Sequence, residues 1–194
     1  MNSSFIVKLR KETGAGFALC KEASDKHPDN YEEALKYLRR ILRVKADKRS
    51  GKETRKGIIE VYSHGEAKTV ASIVEVFCET DFVSKSEGFR KLAHEICLQI
   101  AGMKPLYTTA EDIPTDKMDD LLTTWREELV EKGIETGGIE AELENMKLKY
   151  IKEFCLMDQP YFRDPSKTVK ELLDEARGTL GENINIGRFE RWEI

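Results

Sequence analysis

The chain has 194 residues and a mass of 22.3 kDa; 32 Lys and Arg against 36 Asp and Glu leave a formal charge of −4, and the mean hydropathy is −0.52. A chain of this length buries ~70% of the surface it exposes when unfolded, so it needs neither disulfides nor metal to fold, and its recurring aromatic and branched residues exclude wholesale disorder. No apolar run approaches the ~18–20 residues of a membrane span, the N-terminus has no long apolar signal core and the C-terminus no lipidation motif, so the expectation is a cytoplasmic protein without a membrane role.

Charge divides the chain. Residues 1–56 hold 15 Lys and Arg against 8 Asp and Glu, a net of +7, and residues 57–194 hold 17 against 28, a net of −11. This asymmetry predicts two parts, a basic module at 1–56 and a core at 57–194. In the first part Ser3 or Ser4 can cap a helix carrying Phe5, Ile6 and Leu9, which Thr13-Gly14-Ala15-Gly16 breaks. A second helix places Phe17, Cys20 and Ala23 on one face, and His27-Pro28-Asp29 turns the chain. Asn30 with Glu33 reads as a capping box. Tyr31, Ala34, Leu35, Leu38, Ile41 and Leu42 then keep helical period. Residues 44–56 have almost no large apolar side chain and read as a basic linker, with helix as an alternative.

The second part mixes strands and helices. Gly57 opens a strand over Ile58–Tyr62, Gly65 sits in a turn, and residues 69–79 form a longer strand, together a hairpin. The second strand alternates little, which predicts cover on both faces. Ser84 with Glu87 reads as a capping box before the stripe Phe89, Leu92, Ala93, Ile96, Cys97 and Ile100. Met103 to Pro114 reads as a loop. Thr115 can cap a helix with Met118, Leu121, Leu122, Trp125 and Leu129 on one face, Gly133 and Gly137-Gly138 interrupt, and a further helix carries Ile139, Leu143, Met146, Tyr150 and Phe154. Asp158-Gln159-Pro160 and Arg163-Asp164-Pro165-Ser166 read as turns. Thr168 with Glu171 opens a helix that Gly181 ends, and residues 183–194 alternate as a last strand with Gly187 as a bulge. Three strands and several unevenly ordered helices give an α+β class.

No chemistry-bearing motif stands out. There is no GxGxxG, P-loop, HExxH or GxSxG. Cys20, Cys78, Cys97 and Cys155 form no CxxC and sit in element interiors, which predicts free, buried thiols and neither a disulfide framework nor a zinc site. His94 and Cys97 stand three apart on one helix, but Cys97 belongs to the apolar stripe, so packing outweighs nucleophilic use. No catalytic residue, cofactor or metal is assigned, and the chain reads as a binding protein.

Two loop clusters are unusual. In Cys78-Glu79-Thr80-Asp81-Phe82-Val83 a strand runs into an acid and a large aromatic just before a helix. The ordinary reading is a cap at Asp81 with Phe82 and Val83 stapling the helix; the functional reading is a projecting aromatic wedge. Thr13-Gly14-Ala15-Gly16 is ordinarily a turn, and could cradle an anion only beneath a helix N-terminus.

These clusters carry a resemblance. Val7–Gly16 with Cys20-Lys21, the Cys78–Val83 block, Gln159–Val169 and Gly181-Glu182-Asn183-Ile184 together resemble the signatures of the elongation factor Ts family, in order and across nearly the whole chain. The resemblance implies a three-helix ubiquitin-associated-like bundle followed by an α+β core with a small antiparallel sheet packed against helices. With one core copy, the chain resembles the short form of the family, which implies a homodimer. The implied function is guanine-nucleotide exchange: binding elongation factor Tu in its GDP-bound and nucleotide-free states and promoting release of Mg²⁺ and GDP, without bond chemistry of its own. Thr80, Asp81, Phe82 and Val83 would then disturb the partner's Mg²⁺ site, and Arg10, Thr13, Gly14, Ala15, Gly16 and Phe17 would touch its GTPase domain. No direct contact with nucleic acid is implied.

Leu19 stands where the family usually has an acid, and Thr54-Arg55-Lys56 is basic where small and acidic residues are common. Two other classes remain. A nucleic-acid-binding adaptor using residues 1–56 would show steep salt dependence and stacking aromatics, and residues 44–56 have the charge but no aromatic. A thiol enzyme built on Cys97 would be sensitive to alkylation.

Overall fold

The computed structural model describes residues 3–194. Helix α1 (Ser3–Thr13), α2 (Phe17–Lys26) and α3 (Tyr31–Asp47) come first. The first helix already includes Ser4, so Ser4 lies in its opening turn and does not precede it. Asn30 caps α3 as its sequence predicts, Oδ1 accepting from Glu33 N at 3.1 Å. Ile6, Leu9, Ala15, Cys20, Ala23, Ala34, Leu35, Leu38 and Leu42 form one buried cluster between the three helices, with Phe5, Leu19, Tyr31 and Tyr37 at its margin. The supposed linker is helical in its first turn: α3 continues to Asp47 because Ala46 is small enough to be buried there.

Strand β1 (Lys56–His64) and β2 (Val70–Cys78) pair as an antiparallel hairpin, and β5 (Ile184–Glu193) pairs with the other edge of β2, giving the order β1-β2-β5. The hairpin is longer at both ends of its first strand than periodicity suggests. β2 alternates after all: Ser72, Val74, Val76 and Cys78 are buried while the residues between them are only half covered. The expectation of equal cover on both faces fails because helix α5 (Glu87–Met103) lies on one side only, tied there by Ser72 Oγ donating to Cys97 O at 2.8 Å and Arg191 Nε donating to Ala101 O at 2.9 Å. Opposite Glu75, β5 has the two residues Gly187 and Arg188, which is the predicted bulge. A Cβ on Gly187 would stand 2.5 Å from the Phe77 ring, so any larger residue there would have to push that ring aside.

Before α5 the capping differs from expectation. Ser84 belongs to a short helix, α4 (Asp81–Ser84), and donates to Asp81 O at 2.9 Å. Ser86 caps α5, accepting from Phe89 N at 3.3 Å, so the helix is capped two residues later than its sequence suggests. Helix α8 (Val169–Leu180) ends where Gly181 N donates to Arg177 O at 2.9 Å. It approaches α3 at Gly178, where a Cβ would meet Leu42 O at 2.4 Å. Arg39 Nε pairs with Glu175 at 2.9 Å and Arg43 with Glu171 at 2.6 Å along the same crossing.

The chain forms two compact units: one runs up to Ala101 and takes in Lys170–Ile194, the other is Gly102–Val169. In the second unit α6 (Thr115–Glu131) and α7 (Thr136–Phe154) bury Leu129, Ile139 and Leu143 between them, flanked by Leu122, Trp125 and Met146. Pro114, not Thr115, holds the cap position of α6. Gly137 and Gly138 do not interrupt: they lie in the first turn of α7, where amides lack intrahelical partners in any case. The predicted loop before α6 contains a single 3₁₀ turn at Ala110–Asp112, closed by Thr109 and Asp112. Two further short strands, β3 (Pro160–Tyr161) and β4 (Asp164–Thr168), form a hairpin where only turns were expected, since Pro160, Asp164 and Pro165 carry no strand propensity.

Candidate functional site

The corner between β2 and α4 is built from backbone groups that secondary structure leaves over. As β2 ends, the amides of Glu79 and Thr80 have no strand partner. The Glu182 carboxylate, from the turn before β5, accepts both, at 3.1 and 3.0 Å, and accepts Thr80 Oγ1 at 2.5 Å. Reciprocally, Glu79 Oε1 accepts Asn183 N at 2.6 Å, and its other oxygen faces Arg49 at 3.5 Å. Two carboxylates thus each satisfy the other segment's amides, through bonds stronger than neutral ones. Thr80 adopts extended backbone and caps α4, its Oγ1 accepting from Val83 N at 3.4 Å.

This clamp holds Phe82 out. Phe82 is 83% exposed, Val83 is half-buried and Ser84 is buried. The ordinary reading of the block is therefore corrected: Thr80 caps and Asp81 does not, and of the two apolar residues only Val83 turns inward. Lys85 donates to Asp81 at 2.7 Å and holds its carboxyl below the usual range. What this corner can do chemically is bind. Covering a phenylalanine recovers ~1.5–3 kcal/mol.

The second cluster divides by exposure. Thr13 Oγ1 donates to Leu9 O at 2.8 Å and accepts Ala15 N at 3.2 Å, and both Thr13 and Ala15 are buried. Gly14 has φ +69° and donates to Arg10 O at 2.8 Å, and Gly16 holds the cap position of α2. Arg10, Gly14, Gly16 and Phe17 face solvent, Phe17 at 54% exposure. The buried face of α2 is Cys20, Ala23 and Ser24, so the expectation that Phe17 shares it fails.

The four thiols are free and buried. Cys97 Sγ donates to Ser72 O at 3.3 Å, and burial pushes the thiol up. His94 turns instead to Glu60, Nδ1 to Oε1 at 2.9 Å. A raised, buried thiol with its imidazole engaged elsewhere is the opposite of an activated nucleophile, which overturns the thiol-enzyme reading. Among the described residues no group of three His, Cys, Asp or Glu side chains is arranged to hold a metal, and no helix is long and apolar enough to cross a membrane.

Residue-level reading missed the role of Glu182. Its signal was present: a charged and an amide residue stand between a glycine helix stop and an apolar strand, where free strand-end amides need acceptors.

Comparison with known proteins bears on the whole chain. The sequence model described as Elongation factor TS matches residues 29–194. Proteins named Elongation factor Ts from Leptospira biflexa and Coprothermobacter proteolyticus are 41% and 39% identical, each alignment covering 100% of this chain and 98% of the relative. That of Carboxydothermus hydrogenoformans is 37% identical over 100% of this chain and 89% of its own length.

Proposed function

Because this chain belongs to the elongation factor Ts family and is therefore a translation elongation factor, we propose that it is the guanine-nucleotide exchange factor of elongation factor Tu. It binds the GDP-bound partner, promotes loss of Mg²⁺ and GDP, and leaves a nucleotide-free complex that GTP refills. The chain makes and breaks no bond, needs no cofactor of its own and acts in the cytoplasm, where it meets a protein and not nucleic acid.

The observation that carries this reading is Phe82, exposed on a clamped corner. A wedge works only if it does not yield, and the Glu79–Glu182 exchange of hydrogen bonds supplies that stiffness. Phe82 inserts between elements of the partner's GTPase domain, Asp81 offers its carboxylate beside it, and Thr80 and Val83 fix the angle. The displaced elements no longer hold Mg²⁺ and phosphate well. By linkage, the exchange factor weakens GDP by the same factor that GDP weakens the exchange factor. Only preference for the open conformation releases nucleotide; equal affinity for both would release none. Arg10, Gly14, Gly16 and Phe17 supply the second contact of the 1–56 module, with Thr13 and Ala15 shaping that turn from within.

The chain also pairs with itself in this reading. Ile59, Val61 and Trp192 are exposed on the sheet face opposite α5, their neighbours across the strands being Glu75, Ile73 and Ala71. An apolar sheet face of this kind needs cover. Sedimentation at micromolar concentration reports a dimer that Val61→Glu converts to monomer; a wild-type monomer refutes it.

The deciding experiment follows release of fluorescent GDP from elongation factor Tu. Most of the ~1.5–3 kcal/mol of a buried phenylalanine is at stake, so Phe82→Ala lowers exchange efficiency by roughly ten- to a hundredfold. Its unfolding free energy stays within about 0.5 kcal/mol, because the ring is already in water. Equal stimulation by the variant removes the wedge.

A further inference from the structure

The basic stretch after α3 is not a free linker. Asn183 Nδ2 donates to Ser50 O at 3.3 Å and to Lys52 O at 2.6 Å, and Asn185 Nδ2 donates to Thr54 Oγ1 at 3.0 Å. Arg49 reaches Glu79 at 3.5 Å. Lys56 then begins β1 directly opposite Cys78, two residues before Thr80, and α4 lies against β1. Residues 49–56 are thus fastened to the same Asn183 and Glu79 that shape the Phe82 corner.

Charge on this side does not cancel. Glu79 faces Arg49, Asp81 faces Lys85 and Glu53 faces Arg55, each as an ion pair, while Glu182, bonded to neutral amides, and the exposed Asp47 keep their negative charge. Lys48, Lys52 and Lys56 are exposed, and among the described residues none has a carboxylate within ion-pair distance. Three lysines against Asp47 and Glu182 leave a small positive excess on the stretch that is fastened to this corner, on a chain whose overall charge is −4. A surface of one sign on a molecule of the other attracts an oppositely charged face from beyond contact range.

We propose that Lys48, Lys52 and Lys56 form a cationic shoulder that steers the Phe82 corner onto a carboxylate-bearing face of its protein partner. This rests on the exchange reading and adds to it the charge of the surface that receives the wedge. Phe82 and the shoulder divide the work: the ring opens the partner after contact, and the lysines raise the rate at which contact occurs.

The test is stopped-flow association of the full-length chain with elongation factor Tu·GDP across a series of salt concentrations. Reversing three charges in K48E/K52E/K56E lowers the association rate constant tenfold or more at low salt, within the ~10–10³ range of electrostatic steering. The gap between variant and wild type closes toward about 1 M salt, where the screening length shrinks to ~3 Å. A variant that had merely misfolded would stay slow at every salt concentration, so closure of the gap separates steering from damage. Association of the variant at the wild-type rate with the wild-type salt slope overturns the shoulder while leaving the exchange reading standing, provided the wild type still speeds GDP release. If the wild type does not speed it, both fall. A fluorescent single-stranded RNA that binds the wild type in a salt-dependent way and is lost by the triple variant also overturns the proposal, by giving the lysines to phosphates.

Discussion

Glu182 is the residue on which the corner's geometry depends most. Replacing it by alanine removes the acceptor of three hydrogen bonds, from Glu79 N, Thr80 N and Thr80 Oγ1. Thr80 is exposed and Glu79 half-buried, so water reaches some of the freed donors and each bond counts at about 1 kcal/mol, below the full value for a bond to a charged group. Glu182→Ala should therefore cost about 2–3 kcal/mol in urea unfolding followed by circular dichroism. Glu182→Gln keeps an amide oxygen for the two backbone donors and lets Thr80 Oγ1 accept, so it should cost about 1 kcal/mol. Amide hydrogen exchange locates the effect: Glu79 and Thr80 lose protection first, and the middle of α5 does not. GDP release from elongation factor Tu slows in the same order, alanine more than glutamine, since a loosened corner spends binding energy on ordering itself. An alanine variant within 0.5 kcal/mol of the wild type, with Glu79 and Thr80 amides still protected, would refute the clamp.

Gly178→Ala must separate α8 from α3, because the new Cβ would sit 2.4 Å from Leu42 O; unfolding measurements should show a loss of about 1–3 kcal/mol. Gly137→Ala, whose Cβ meets nothing within 4 Å, should instead gain up to about 1 kcal/mol, and a loss there would contradict the placement of Gly137 inside α7. Burial followed by nearby acids raises the Cys155 thiol to about 11, and burial raises Cys97 as well. At pH 7.5 both should resist iodoacetamide in the native chain and react once it is unfolded; rapid native labelling would show the thiols to be accessible. Arg188 bonds the Glu75 carboxylate through its side chain and its backbone amide, and lowers the pKa of Glu75 below the ordinary glutamate value. A lowered folded-state pKa stabilises above the unfolded value and is lost as pH falls through the folded one. The stability gap between wild type and Glu75→Gln should thus be largest near pH 7 and close below about pH 4; a gap independent of pH would argue against the pair.

The elements most legible in the sequence were those set by neighbours within a turn or two. The period of Ala34, Leu35, Leu38 and Leu42 and the cap at Asn30 place α3. The stripe from Phe89 to Ile100 places α5, and glycine inside an alternating strand marks the bulge at Gly187. Where prediction slipped, a local rule had a close competitor. Ser84 and Ser86 both precede the same helix, and the one that caps is the one left free once Thr80 has capped α4. A glycine pair reads as a break, yet it is tolerated in a first turn whose amides are unpaired anyway.

Function divided along the same line. The order of four sequence blocks was enough to indicate a family of translation factors, because a signature is a property of residue types and spacing. Exposure is not such a property. Phe82 and Val83 are adjacent and both apolar, and nothing local says that one faces water and the other the interior. That outcome was settled by Glu182, about a hundred residues further along the chain, when it took up the amides at the end of β2. The same holds for Ala15, drawn into the helical cluster, and Thr13, buried two residues before it, while Phe17 was left outside, and for residues 50–52, brought to the corner by Asn183. Periodicity and capping depend on torsions and hydrogen bonds within about four residues, so the sequence alone could determine them; burial depends on which distant segments compete for the same space and the same unpaired amides, and only the assembled tertiary structure decides that.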